Sequence, residues 1–176
     1  IVDGLLWVSR VNISEQPATV IACTDNCIQM SIVPILLEGK HAGVILLTRS
    51  LADIVLDFKN IAGSDVGVLI KSVAGSDDQE RYINEWGLRI IALTNWPESA
   101  NTIHYAARQR GLPGQAGESI NIDHGGKNYE IRNYSLGDNS GASFVIIDDV
   151  TSETDIIKRD STKTIVTGVA GLFLAE

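Results

Sequence analysis

PILLEGKHAGVILLTRSLADI, residues 34–54, decides the fold. Two apolar runs flank the polar turn Glu38-Gly39-Lys40, and their Ile, Leu and Val side chains suit a pair of antiparallel strands. Pro34 cannot donate to a strand ladder, so it belongs at an edge or a bulge. The second run passes straight into Ser50, with Asp53 three residues on, the pattern of a capped helix start. Leu51, Ile54, Val55, Phe58 and Ile61 then fall on one helical face, and Gly63 supplies a stop. The segment therefore reads strand, turn, strand, helix, with no linker.

Working outward, residues 4–11 (GLLWVSRV), 17–23 and 28–37 read as strands that precede residues 42–49. Residues 65–73 return to strand. Ser76 and Gln79 then mark a short helix carrying Ile83 and Trp86 to a stop at Gly87. Residues 88–94 are another strand, and Pro97 opens a helix that aligns Trp96, Ala100, Ile103 and Ala107 and ends at Gly111. After the loop 111–117, residues 118–123, 128–136 and 142–149 form a three-stranded meander with turns HGGK and GDNSG. Ser152 and Asp155 mark a last helix that starts polar and ends apolar. The class is α+β, with antiparallel sheets flanked by helices.

A repeat organises these elements. SIVPILLEGKHAGVILLTRSLADI (31–54) and EIRNYSLGDNSGASFVIIDDVTSETDI (130–156) both read strand, Gly-containing turn, apolar strand, capped helix. The expected organisation is two tandem modules: residues 1–49 as the last half of the first, 50–150 as a complete second, and 151–176 as a C-terminal helix.

With 14 basic and 22 acidic residues the net charge is −8, which opposes a sequence-independent grip on phosphate backbones and argues against nucleic acid. Cys23 and Cys27, the only cysteines, span an Asp-Asn turn; two readings stand, a disulfide or two half-buried thiols. The opening on an apolar run and the short apolar stretch 165–175, below the roughly 20 residues of a membrane span, suggest a piece of a longer protein that continues into a span.

Asp123-His124-Gly125-Gly126 has the look of an esterase oxyanion loop, but no G-x-S-x-G elbow accompanies it and Gly-Gly suits a hairpin turn. His41, His104 and His124 lie apart in the sequence, so neither a metal cluster nor a cofactor is expected; His104, on a helix beside Tyr105, is a minor pocket candidate. Asn95, Trp96, Tyr105, Arg108, Arg132 and Tyr134 could converge above the second sheet. Arg132 and Tyr134 share a strand face and would suit a small anion or carboxylate by forked hydrogen bonding and stacking. Against this stands the plainer reading that these side chains face solvent or close the core. Glu153, Asp155, Lys158, Arg159 and Asp160 read as a solvated helix face, or as part of a rod carrying movement.

Taken together, VPILLEGKHAGVILLTRSL, DVGVLI, LRIIALTN, KNYEIRNYSL and ASFVIIDDVTSE resemble the PAS-like Cache domains, most closely the double Cache sensors of bacterial histidine kinases, diguanylate cyclases and chemoreceptors. The resemblance covers nearly the whole chain. It implies a sensor on the periplasmic side of an inner-membrane protein, joined by its last helix to a membrane span and an intracellular output domain. It also implies a small-molecule ligand, a homodimeric receptor, and no enzymatic activity in this chain. Tyr105, Arg108 and Asp148 echo the amino-acid-binding motif of some double Cache receptors only loosely, so Asp148 joins the candidates without an amino acid being expected. The competing reading is a ligand-free module that dimerises the receptor.

Overall fold

The computed structural model describes residues 2–24, 26–71, 79–114, 118–137, 141–157 and 160. Helix α1 (Val2–Ser14) leads into strands β1 (Ala18–Cys23), β2 (Cys27–Leu37) and β3 (Lys40–Ser50), then helix α2 (Leu51–Ala62). Strands β4 (Asp65–Lys71), β5 (Tyr82–Ile83) and β6 (Leu88–Leu93) follow, then helix α3 (Glu98–Gln109) and strands β7 (Ser119–His124), β8 (Lys127–Ser135) and β9 (Ala142–Asp149). The sheets are antiparallel, with orders β1-β2-β3 and β5-β6-β4-β9-β8-β7. This is the α+β, PAS-like architecture expected from the sequence.

The deciding segment folds as read. β2 and β3 pair from Ile28↔Ser50 to Leu37↔Lys40 around the Glu38-Gly39 turn. The Ser50 hydroxyl accepts from the Ala52 amide at 3.2 Å, and Gly63 stops α2 in the left-handed region at φ 78°. β1 accompanies β2 only as far as Ile32, so among the described residues Pro34 has a strand neighbour on one side alone, and the register slips between Ile35 and Leu36. The other end of this sheet is closed by a Cys23–Cys27 disulfide with the Cα atoms 4.1 Å apart. Closing so short a loop stabilises by about 2 kcal/mol in the chain-entropy picture.

The six-stranded sheet is sandwiched. On one face, Ile103, Ala106 and Ala107 of α3 pack on Leu69, Ile90, Ile131, Val145 and Ile147. On the other, Leu51 and Val55 of α2 join Val66, Val68, Ile70 and Ala142, together with Cys27 of the small sheet. The two sheets thus share a core. Ile103 is fully buried, and its truncation to Ala would cost about 2–5 kcal/mol by cavity formation. Central strand β4 accepts close neighbours at Gly67, where a Cβ would lie 2.8 Å from Leu93 Cδ1 and 3.0 Å from Val145 Cγ1.

Three expectations are corrected. Residues 4–11 lie in helix α1, not a strand; Leu5 and Leu6 are exposed while Val11 is buried, and a short apolar run does not separate strand from helix by periodicity. Tyr82–Ile83 is strand β5, paired with Arg89 and Leu88, and residues 84–87 form a turn with Gly87 at φ 63°, so the described part of 76–87 holds no helix. Ser76 lies outside the described residues. The α2 helix forms as read, and the last member of its apolar face, Ile61, is 88% exposed. The final helical residues begin at 151, capped by Asp149 and not by Ser152 and Asp155. The apolar stretch 165–175, with Lys158 and Arg159, lies outside the described residues.

Candidate functional site

A polar cavity of about 450 Å³ opens where three junctions meet: the α2–β4 turn, the β6–α3 turn and the end of β9. Its walls include Asp65, Asn95, Glu98, Ser99, Thr102, Lys127, Tyr129, Asp148 and Asp149. The β6–α3 turn owes its shape to Asn95, which adopts φ 54°, a left-handed conformation Asn tolerates better than most residues. The Asn95 carbonyl accepts from the Ser99 amide at 3.1 Å, and the Glu98 carbonyl accepts from the Thr102 hydroxyl at 3.1 Å, so the first turn of α3 presents its small polar residues to the cavity.

Asp65 anchors one wall. Burial alone would raise its pKa, but donation from Lys59, Thr94 (2.8 Å) and Asn95 (3.3 Å) holds the carboxyl below the ordinary aspartate range. Thr94, 2% exposed, also accepts from the Val66 amide at 2.8 Å, tying this carboxylate to β4. Asn95 divides its amide between Asp65 and Glu98, the latter at 3.2 Å.

Asp149 anchors another part of the lining. One oxygen accepts from the amide and hydroxyl of Thr151 at 3.1 and 2.5 Å, and the other meets Lys127 at 3.1 Å. Hydrogen bonding, led by the Thr151 hydroxyl, lowers the Asp149 pKa; the same pairing raises that of Lys127. Thr151 accepts in turn from the Asn128 amide at 2.9 Å, so the start of the final helical residues is tied to β8 and β9 together.

The sequence candidates do not converge. Asn95 and Asp148 line the polar cavity. Arg132 and Tyr134 lie on the opposite face of the sheet from α3: Tyr134 borders an apolar pocket of about 300 Å³ with Ile54, Val55 and Phe58 of α2. Strand alternation alone could not say which helix that face meets. Arg132 is ion-paired with Glu130 at 2.5 Å and lies 3.8 Å from Asp148, with its pKa raised first by the Glu130 bond, so its fork is already engaged. Tyr105 packs on the core and stacks on His124, ring centroids 4.4 Å apart. Arg108 borders another cavity with His104, whose Nε2 is 2.9 Å from the Glu80 carbonyl. Trp96, 39% exposed, lies beneath Arg81 in a cleft beside α2.

Asp65, Glu98, Ser99, Lys127 and Asp149 escaped the sequence reading. The paired aspartates closing β9 were visible as the end of a strand, but a cavity assembled from three separate junctions leaves no local pattern. Among the described residues no group of three or more His, Cys, Asp or Glu side chains could hold a metal ion, and no helix is long and apolar enough to cross a membrane.

A six-stranded antiparallel sheet between two helices, with a polar cavity at its rim, defines a PAS-like sensory domain. The profile described as "double sensory domain of two-component sensor kinase" matches residues 5–154, and the chain belongs to this double Cache family. No curated protein sequence matches the chain. Solved structures similar to it include the ligand-binding domain of Mlp24 with asparagine (12% identity, TM-score 0.35, 86% of this chain and 58% of that one). Another is the ligand-binding domain of the Pseudomonas aeruginosa PAO1 amino acid chemoreceptor PctC with GABA (12%, 0.37, 81% and 60%). A third is the sensor domain of the V. cholerae histidine kinase DctB (14%, 0.36, 80% and 58%). The chain thus spans less than two thirds of the length of these relatives.

Proposed function

We propose that this chain is the solute-sensing part of a transmembrane receptor, and that the polar cavity at the rim of the six-stranded sheet is where the solute binds. One observation carries the reading: a residue that walls the cavity, Asp149, also holds the first residue of the final helical segment through Thr151. A solute that drew on Asp149 or Lys127 would change the restraint on that helix, and a receptor reads a small shift between two arrangements of sheet and helix. Residues 151–176 would carry the shift to a membrane span and onward to an output domain such as a histidine kinase or diguanylate cyclase, with two receptor copies side by side.

Residues 1–49 would be the closing half of a first module and residues 50–150 the second, supported by the shared hairpin-to-helix ending at β3–α2 and β9–151. The Cys23–Cys27 disulfide supports an extracytoplasmic location, since disulfides persist in oxidising compartments. The reading is tested by thermal denaturation against a broad panel of carboxylates, amines, sugars and nucleobases. A solute that binds only the folded domain raises its melting temperature, and Thr151→Val should keep that shift while blunting output of the full receptor. If no compound moved the transition, or if receptor output were indifferent to Thr151→Val, the reading would fail.

A further inference from the structure

The chemistry of the cavity walls narrows the solute, on the reading that the cavity is the binding site. Its lining carries the carboxylates of Asp65, Glu98, Asp148 and Asp149 against the single ammonium of Lys127, and Lys127 is held by Asp149. An incoming carboxylate would find no free cation there. The Asp65 carboxylate is satisfied by Lys59, Thr94 and Asn95, whereas Glu98 receives one hydrogen bond, at 3.2 Å from Asn95. Beside Glu98, Ser99 is 3% exposed and lines the cavity, and its hydroxyl has no partner among the described residues. A hydroxyl that lines a cavity can donate to or accept from a solute there. Tyr129 belongs to the same lining, and an aromatic residue there can take a cation against its ring.

We infer that the cavity takes a small organic ammonium ion without a carboxylate, held by Glu98, hydrogen-bonded to the Ser99 hydroxyl and packed against Tyr129. The cavity volume of about 450 Å³ suits such a solute. This differs from the anion expected of Arg132, whose guanidinium is engaged by Glu130 and lies 3.8 Å from Asp148.

The test uses three compounds of matched length: putrescine, the neutral 1,4-butanediol and the dianion succinate, read by thermal shift and isothermal titration at near-physiological salt. Putrescine should raise the melting temperature, and the other two should not. Glu98→Gln should weaken putrescine binding about tenfold or more, as expected for a lost charge-assisted bond. Ser99→Ala should weaken it less, and Asp53→Asn, on the exposed start of α2, should leave it unchanged. A shift with succinate or butanediol but none with putrescine would overturn the cation assignment while leaving solute sensing intact. Putrescine binding that was equal in wild type and Glu98→Gln would place the cation elsewhere and overturn the inference. Silence from every solute in both this set and the broad panel would remove the sensing reading as well.

Discussion

Asp149 and Thr151 are joined twice: one carboxylate oxygen of Asp149 receives both the Thr151 amide, at 3.1 Å, and the Thr151 hydroxyl, at 2.5 Å. Because Asp149 is also a wall of the polar cavity, the helix start and the candidate site share one side chain. Asp149→Ala should cost about 1 kcal/mol through loss of the cap and free the Lys127 ammonium. Hydrogen exchange at the amides of residues 151–154 should accelerate while β4 stays protected. Unchanged exchange at the helix start would show that the cap does not restrain it.

Acid should loosen the same rim. The folded-state pKa values of Asp65 and Asp149 both lie below the ordinary aspartate value of 3.8, so each stabilises the fold when ionised. That contribution is complete above the unfolded-state value and is lost as pH falls through 3.8 toward the folded values. Stability measured by urea denaturation should be level near neutrality and fall below about pH 4, where unfolded aspartates begin to bind protons. Asp65→Asn should be less stable at pH 7 and show a shallower acid decline; a decline as steep as wild type would assign the effect to other carboxylates.

Gly67 is a packing requirement, not a turn. A Cβ there would lie 2.8 Å from Leu93 Cδ1, 3.0 Å from Val145 Cγ1 and 3.2 Å from the Ala92 carbonyl oxygen. Leu93 can swing its methyl aside, but the backbone oxygen and the fully buried Val145 have less room. Gly67→Ala should therefore destabilise by about 1–3 kcal/mol through overpacking in the middle of β4. Chemical denaturation would check this, and a neutral or stabilised variant would mean that β4 and β6 can separate at little cost.

How much of this was legible in the sequence depended on how local the signal was. The β2–β3 hairpin, the Ser50 cap, the Gly63 stop and the β7–β8–β9 meander were all readable because each rests on neighbours within a few residues. GLLWVSRV misled because its burial is decided by the small sheet it meets: Val11 is 1% exposed and Leu5 70%, a difference no propensity encodes. Ile83 and Trp86, three apart, imitated a helical face although Ile83 sits in a two-residue strand. The site was harder still. Arg132 and Tyr134 do share a face, but only the tertiary order of strands sets that face toward α2, and Glu98 and Ser99 acquire their meaning from Asp65 and Asp149, tens of residues away in sequence.

β3 and β9 have like sequences and unlike neighbours. The apolar run VILLT of β3 closely matches the run FVIID of β9, and such two-sided apolar runs are typical of central strands. β9 is central, paired with β8 on one side and β4 on the other. Among the described residues β3 pairs with β2 alone, and Ile45, Leu46 and Leu47 are 47%, 45% and 61% exposed along an eleven-residue edge. Long apolar edges of this kind recruit further strands. If residues 1–49 close a first module built like the second, β3 awaits a strand in the position that β4 takes beside β9. This chain by itself should then self-associate through β3 as its concentration rises. Leu47→Lys should shift it toward monomer in light scattering while leaving its circular dichroism unchanged. A wild-type chain that stayed monomeric at millimolar concentration would show the edge to be closed without help, and the two-module reading of residues 1–49 would lose its main physical support.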